Sequence, residues 1–208
     1  MRAAAAALLV GALLVGALLA APSAMAQPHR GADPDWPCVQ RLVPRLTAGA
    51  LWAGPQAEGD WHAEPEVAAL VARIAPRRVE EPDGLAAIAE FVAPLDAAAR
   101  RRLLPLVFAG LLEQTNTQRD GLIEHIRRFT RRQRELAEIS RDIAAELRTL
   151  PETAPPERRA ELEQRRAFTA KAFGDAERTL RYACEAPVRL EGRLGTYGRA
   201  LQAALPQD

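Results

Sequence analysis

The chain has 208 residues, with 28 Lys+Arg against 27 Asp+Glu for a formal charge of +1, and 48% of its residues are apolar but few aromatic. That length fits one domain, or one domain behind a leader, and the composition excludes a collagen-like, wholly disordered, multi-pass membrane or disulfide-dense chain. A near-zero charge gives no global attraction to nucleic acid or anionic lipid, so any basic character acts locally.

From the N-terminus, Arg2 precedes an unbroken run of apolar residues and glycines from Ala3 to Ala21. Pro22 breaks the run, and Ala24-Met25-Ala26 has the small-x-small form read by signal peptidase. Residues 1–26 therefore read as a secretory signal peptide, with cleavage between Ala26 and Gln27. The alternative is an uncleaved signal anchor, because the run approaches the roughly 20 residues of a spanning helix. Ala/Arg-rich usage with Lys171 as the single lysine suggests a GC-rich bacterial genome, hence a periplasmic or secreted protein. Cleavage removes Arg2 and no acid, leaving a mature chain of zero formal charge. Membrane contact is expected only through an uncleaved signal or a peripheral basic face, and no nucleic-acid partner is expected.

Residues 27–63 read as an irregular arm, broken by Pro28, Pro34, Pro37, Pro44, Gly49, Gly54 and Pro55, with room for a helical turn within 39–46 or 47–53. Trp36, Trp52 and Trp61 all fall here, favouring an arm that lays its indoles on a helical body over an aromatic ligand site. Cys38 and Cys184 are the only cysteines. Export makes one disulfide between them the simplest outcome, since their separation lacks the CxxC form of a redox pair.

Residues 64–208 read as one helical domain. A short helix covers Pro65–Ile74 and Pro76 ends it. Asp83 is placed to cap a second helix, with Leu85, Ile88, Ala89 and Val92 on its apolar side, and Asp96 to cap a third after Pro94. Then Leu122, Ile126, Phe129, Gln133, Leu136, Ser140, Ile143, Leu147 and Leu150 recur at alternating four- and three-residue spacing, a coiled-coil seam. Pro151, Pro155 and Pro156 mark a tip near 151–156, with Thr153 as its cap. Leu162, Arg166, Thr169, Phe173, Ala176, Leu180 and Ala183 then continue the seam on a return helix, and Leu190, Leu194, Tyr197 and Leu201 keep its phase past Pro187. The fold expected is all-α: a long antiparallel helical hairpin, or coiled coil, with short N-terminal helices and the irregular arm packed at its base. Upstream the seam reaches Leu104 through a stutter at 118–126, so 113–121 is read as continuous helix with a polar layer.

That layer suggests a small pocket at the hairpin base, formed by Thr115, Asn116, Gln118, Gly192, Gly195 and Tyr197; the competing reading is tight packing through the glycines of G-x-x-G-x-x-G. Arg127, Arg128, Arg131, Arg132 and Arg134 fall on the outer face, either as a solvated surface partly balanced by Glu135 and Glu138 or as a docking face for an acidic partner. His62 with Glu64 and Glu66, and His29 nearby, lack fixed ligand spacing, so neither a metal nor another cofactor is assigned. No nucleophile elbow, HExxH or phosphate loop is present, and Ser23 and Ser140 are the only serines, so catalysis has no sequence support. The expected function is a non-enzymatic periplasmic interaction or scaffold protein presenting its coiled-coil arm to an envelope protein. The rivals are a holdase-type chaperone and a small-ligand or metal sensor using the base pocket. Oligomeric state stays open, because a seam flank can pair between chains as well as within one.

Overall fold

The computed structural model describes residues 33–206, so the leader read at 1–26 and His29 lie outside the described residues. These described residues hold no strand: two single 3-10 turns, Ala48–Ala50 and Trp61–Ala63, precede helices α1 (Pro65–Ile74), α2 (Glu81–Val92), α3 (Ala97–Thr149) and α4 (Pro156–Ala203). α3 and α4 form the expected hairpin. Glu146 meets Arg158 near the tip, Arg119 meets Glu191 midway, and Phe108 lies against Gly198 near the far end, which fixes the antiparallel register.

Local chemistry sets the helix ends. Asp96 caps α3 by accepting the Ala99 N–H at 2.8 Å, as its short carboxylate allows. The cap expected of Asp83 is not used. α2 begins ahead of it, with Glu80 as N-cap and Pro82 in the first turn, where a missing N–H costs nothing. Ala87 then faces inward and Ala89 is exposed, reversing the expectation for Ala89. Thr153 likewise caps nothing. The tip is tightened by the Ala154 N–H donating to Pro151 O at 3.0 Å, and α4 starts from Pro155 and Pro156. α3 runs unbroken through 113–121 and also through Pro105, as α4 runs through Pro187; both rings are buried, and their packing offsets the hydrogen bond each forfeits.

The core sits at one end of the hairpin. Val67, Leu70, Val71 and Ile74 of α1 and Ala87 and Ile88 of α2 close over Leu103–Leu111 of α3 and Leu194, Tyr197 and Leu201 of α4. Each such aliphatic side chain contributes about 1.5–3 kcal/mol by leaving water. Glycines set the closest approaches: a Cβ on Gly84 would lie 1.9 Å from the Tyr197 hydroxyl, and one on Gly198 would lie 3.1 Å from Phe108. Toward the tip the core narrows to the seam, where Ile126, Leu136, Ile143, Leu162 and Leu180 are buried and Phe129, Gln133, Ser140 and Leu147 half-buried. Arg166, at a seam position, is exposed. The stutter brings Ile123 into the core and leaves Leu122 half-buried. Cys38 and Cys184 form a disulfide with Cα atoms 5.6 Å apart, bridging 146 positions of sequence.

Candidate functional site: the faces of the hairpin

The N-terminal arm lies along the hairpin, and polar groups hold it there. Gln40 donates to Cys184 O beside the disulfide, and Trp36 Nε1 donates to Gln40 O at 2.8 Å. Two aspartates then reach the arginine run. Asp33 accepts from Arg127 Nε at 2.8 Å, and Asp35 from Arg131 at 2.7 Å and from Arg134, whose second nitrogen donates to Pro34 O at 2.9 Å. Spacing of four and then three residues puts these arginines on one face of α3, matching the short Asp-Pro-Asp segment. The Asp35 N–H and then Arg127 hold the Asp33 carboxyl below the ordinary aspartate value, and Arg131 and Arg134 do so for Asp35. Of the other two arginines, Arg132 pairs with Glu135 at 3.1 Å and Arg128 reaches His125 Nδ1 at 3.3 Å. Three of the five outer-face arginines are thus satisfied by the chain's own arm.

Polar residues of the base join segments far apart in sequence. Asn116 accepts the Leu46 N–H at 2.9 Å and donates to Leu46 O at 3.1 Å, copying one rung of a backbone ladder. Gln118 donates to Ala75 O at 2.9 Å. Arg193 donates to the carbonyls of Ala75, Pro76 and Val79, so α3 and α4 together satisfy the end of α1. Thr115, Gly195 and Tyr197 are buried, while Gly192 is exposed with open space where a Cβ would point. Asn116 lines a cavity of about 420 Å³ with Trp52 and Phe108, whose rings stack at 4.7 Å; none of the other five residues grouped with it lines that cavity. Arg119, which the sequence reading passes over, is only 2% exposed; it donates to Val43 O at 2.9 Å and pairs with Glu191 at 2.7 Å.

All three indole N–H groups are taken within the chain: Trp36 by Gln40 O, Trp52 by Pro55 O and Trp61 by Glu113. His62 bonds Asp60, and Glu64 pairs with Arg102; among the described residues no group of three His, Cys, Asp or Glu is placed to hold a metal. Nor is any described helix long and apolar enough to cross a membrane.

Two surfaces stand out on this body. Between residues 135 and 176 every described hydrogen bond and ion pair stays within the hairpin. There Ile139 and Phe168, level with each other across the hairpin, are 39% and 66% exposed. The second surface is an open groove of about 590 Å³ beside the disulfide, where Val39 is fully exposed and Val188 half-exposed. No family model matches the chain, and no curated protein or solved structure shows significant similarity to it. The disulfide is consistent with an oxidising compartment.

Proposed function

We propose that this is an exported, non-enzymatic scaffold protein of the periplasm, which presents the projecting half of its hairpin to another envelope protein. One observation carries the reading: two helices extend past every covering element, with Phe168 and Ile139 exposed at the same level. A monomeric enzyme has no use for such a surface, whereas a partner gains an aromatic and an aliphatic anchor ringed by charge. Export rests on the leader pattern at 1–26, and the disulfide supports an oxidising destination. Hydrogen bonds from Asn116, Gln118 and Arg119 to the backbone of Leu46, Ala75 and Val43 tie the base together and fix the direction of the arm, a structural role for these three residues.

The test is photo-crosslinking in cells from position 168, with position 66 on the base as control. The scaffold reading expects one dominant envelope protein, lost when Ile139→Glu is added or residues 140–165 are deleted with the tip rejoined. A broad set of unfolded exported proteins instead makes this a holdase. Crosslinks equal at both positions remove the projecting surface from the account. Fractionation with N-terminal mass analysis checks the compartment: a periplasmic chain beginning at Gln27 is expected, and a cytoplasmic chain beginning at Met1 overturns export.

A further inference from the structure

We infer that the groove beside the disulfide is a self-association surface, and that its occupant is the same groove of a second copy of this chain. Its α4 wall carries Glu177, Arg181, Glu185 and Arg189, one residue every four positions with alternating sign, around an apolar floor formed by the Cys38–Cys184 bridge, Leu180, Val39 and Val188. Residues four apart form one ridge of a helix surface, and two such ridges pack side by side. The order of this ridge is acid, base, acid, base. Turned about a two-fold axis it reads base, acid, base, acid, so every charge meets its opposite, and residue numbers facing across the axis add to about 366. A parallel pairing of the same ridges sets like on like. An apolar centre ringed by charge is also the anatomy of a protein interface, and an almost fully solvated valine beside a half-exposed one is the part a partner would cover.

Within one chain this row is only partly used: Glu185 and Arg189 pair at 3.0 Å along α4. Glu177 and Arg189 lie twelve positions apart, about 18 Å along the helix, too far to neutralise each other in a monomer. Across the two-fold axis they are direct partners. The antiparallel arrangement also directs the two projecting halves away from each other, with tips roughly 80 Å apart at 1.5 Å per residue. This association goes beyond the scaffold reading and does not depend on it.

The experiment is analytical ultracentrifugation of the oxidised mature protein across a concentration series, with circular dichroism confirming the helical fold of each variant. The wild-type chain is expected to dimerise, and Val188→Glu to leave it monomeric. Glu177→Arg and Arg189→Glu each weaken the dimer, by about tenfold because the symmetry creates two like-charge contacts per substitution. The double variant Glu177→Arg/Arg189→Glu recovers the wild-type dissociation constant to within about threefold. A wild-type monomer at every concentration overturns the inference. So does a dimer indifferent to Val188→Glu, or one whose two charge reversals add without rescue, since only contact between copies lets these two positions compensate.

Discussion

The base and the projecting half of the hairpin are built from the same two helices but held by different physics. At the base, α1 and α2 close over α3 and α4, so Leu104, Val107 and Leu201 lose all or nearly all their exposure, and two separate chain segments, at Leu46 and at 75–79, are tied in by Asn116, Gln118 and Arg193. Beyond the reach of the arm, each helix has only the other. The seam there buries Leu136, Ile143 and Leu162 but also takes in Gln133 and Ser140, and the outer faces rely on pairs such as Lys171–Asp175 and Arg132–Glu135. Exposed pairs of this kind contribute about 0.3–0.5 kcal/mol each. One pair of long helices therefore spans a steep gradient of local stability, highest where four helices meet and falling toward the tip. Cooperative folding belongs to the base; the projecting half borrows its order from there.

The strongest way to break this contrast is to cut the clasp. Cys38→Ser with Cys184→Ser opens a loop of 146 positions, which by loop-closure entropy removes up to about 5 kcal/mol. Chemical denaturation should show the loss, with the helical spectrum retained at low denaturant; an unchanged midpoint would mean the arm is held by its ion pairs and the Asn116 clasp alone. A paired truncation sharpens the comparison directly. Leu104→Ala in the closed core is expected to cost about 4 kcal/mol, and Ile143→Ala in the two-helix seam about 2, because that seam can collapse or admit water. Equal losses would place the two halves in one cooperative unit with no gradient.

A gentler perturbation is pH, acting where the arm crosses from base to projection. Asp33 and Asp35 have folded pKa values below their ordinary one, so the stabilisation they give is complete above that value, about 3.9. It is lost as pH falls below about 4, through the lowered folded values. Trp36 emission should report detachment of residues 33–37 in that acid range, while helical content is still native. Detachment at neutral pH in 1 M salt, where ion pairs are screened, would follow from the same cause. The smallest effect expected is a gain. The Tyr197 hydroxyl is buried without a partner against Gly84, so Tyr197→Phe should raise stability by up to about 1 kcal/mol in thermal unfolding.

Much of this fold was legible in the sequence because it is written in spacing. The 4-3 recurrence from Leu122 to Leu150 gives α3 its inner face, the prolines at 151, 155 and 156 mark the tip, and a chain with only two cysteines leaves a single possible bridge within itself. What escaped are contacts whose second partner is backbone. Nothing in the letters around Leu46, Val43 or Ala75 announces that their peptide groups are met by Asn116, Arg119 and Arg193, since every residue carries the same carbonyl. The Asp33 and Asp35 contacts, almost a hundred positions from their arginines, escaped for a related reason: charge runs are read from neighbours, and these neighbours exist only after folding. Arg119 falls in the stutter, where a seam changes phase and the inward position is ambiguous by one residue, as the exchange of Leu122 for Ile123 shows.

The Cys38–Cys184 bridge also has a mechanical meaning. A load entering at the N-terminal arm and leaving through the end of α4 crosses from residue 38 to residue 184 through a covalent bond, so α1, α2, α3 and the tip lie in a closed loop outside the force path. Such a load first shears the ion pairs of Asp33 and Asp35 off α3, then stretches only the final part of α4. Extension is confined to the arm and the last part of α4, so in a protein held at its arm and pulled from its C-terminal end the projecting half of the hairpin carries no load for as long as the bridge stays oxidised.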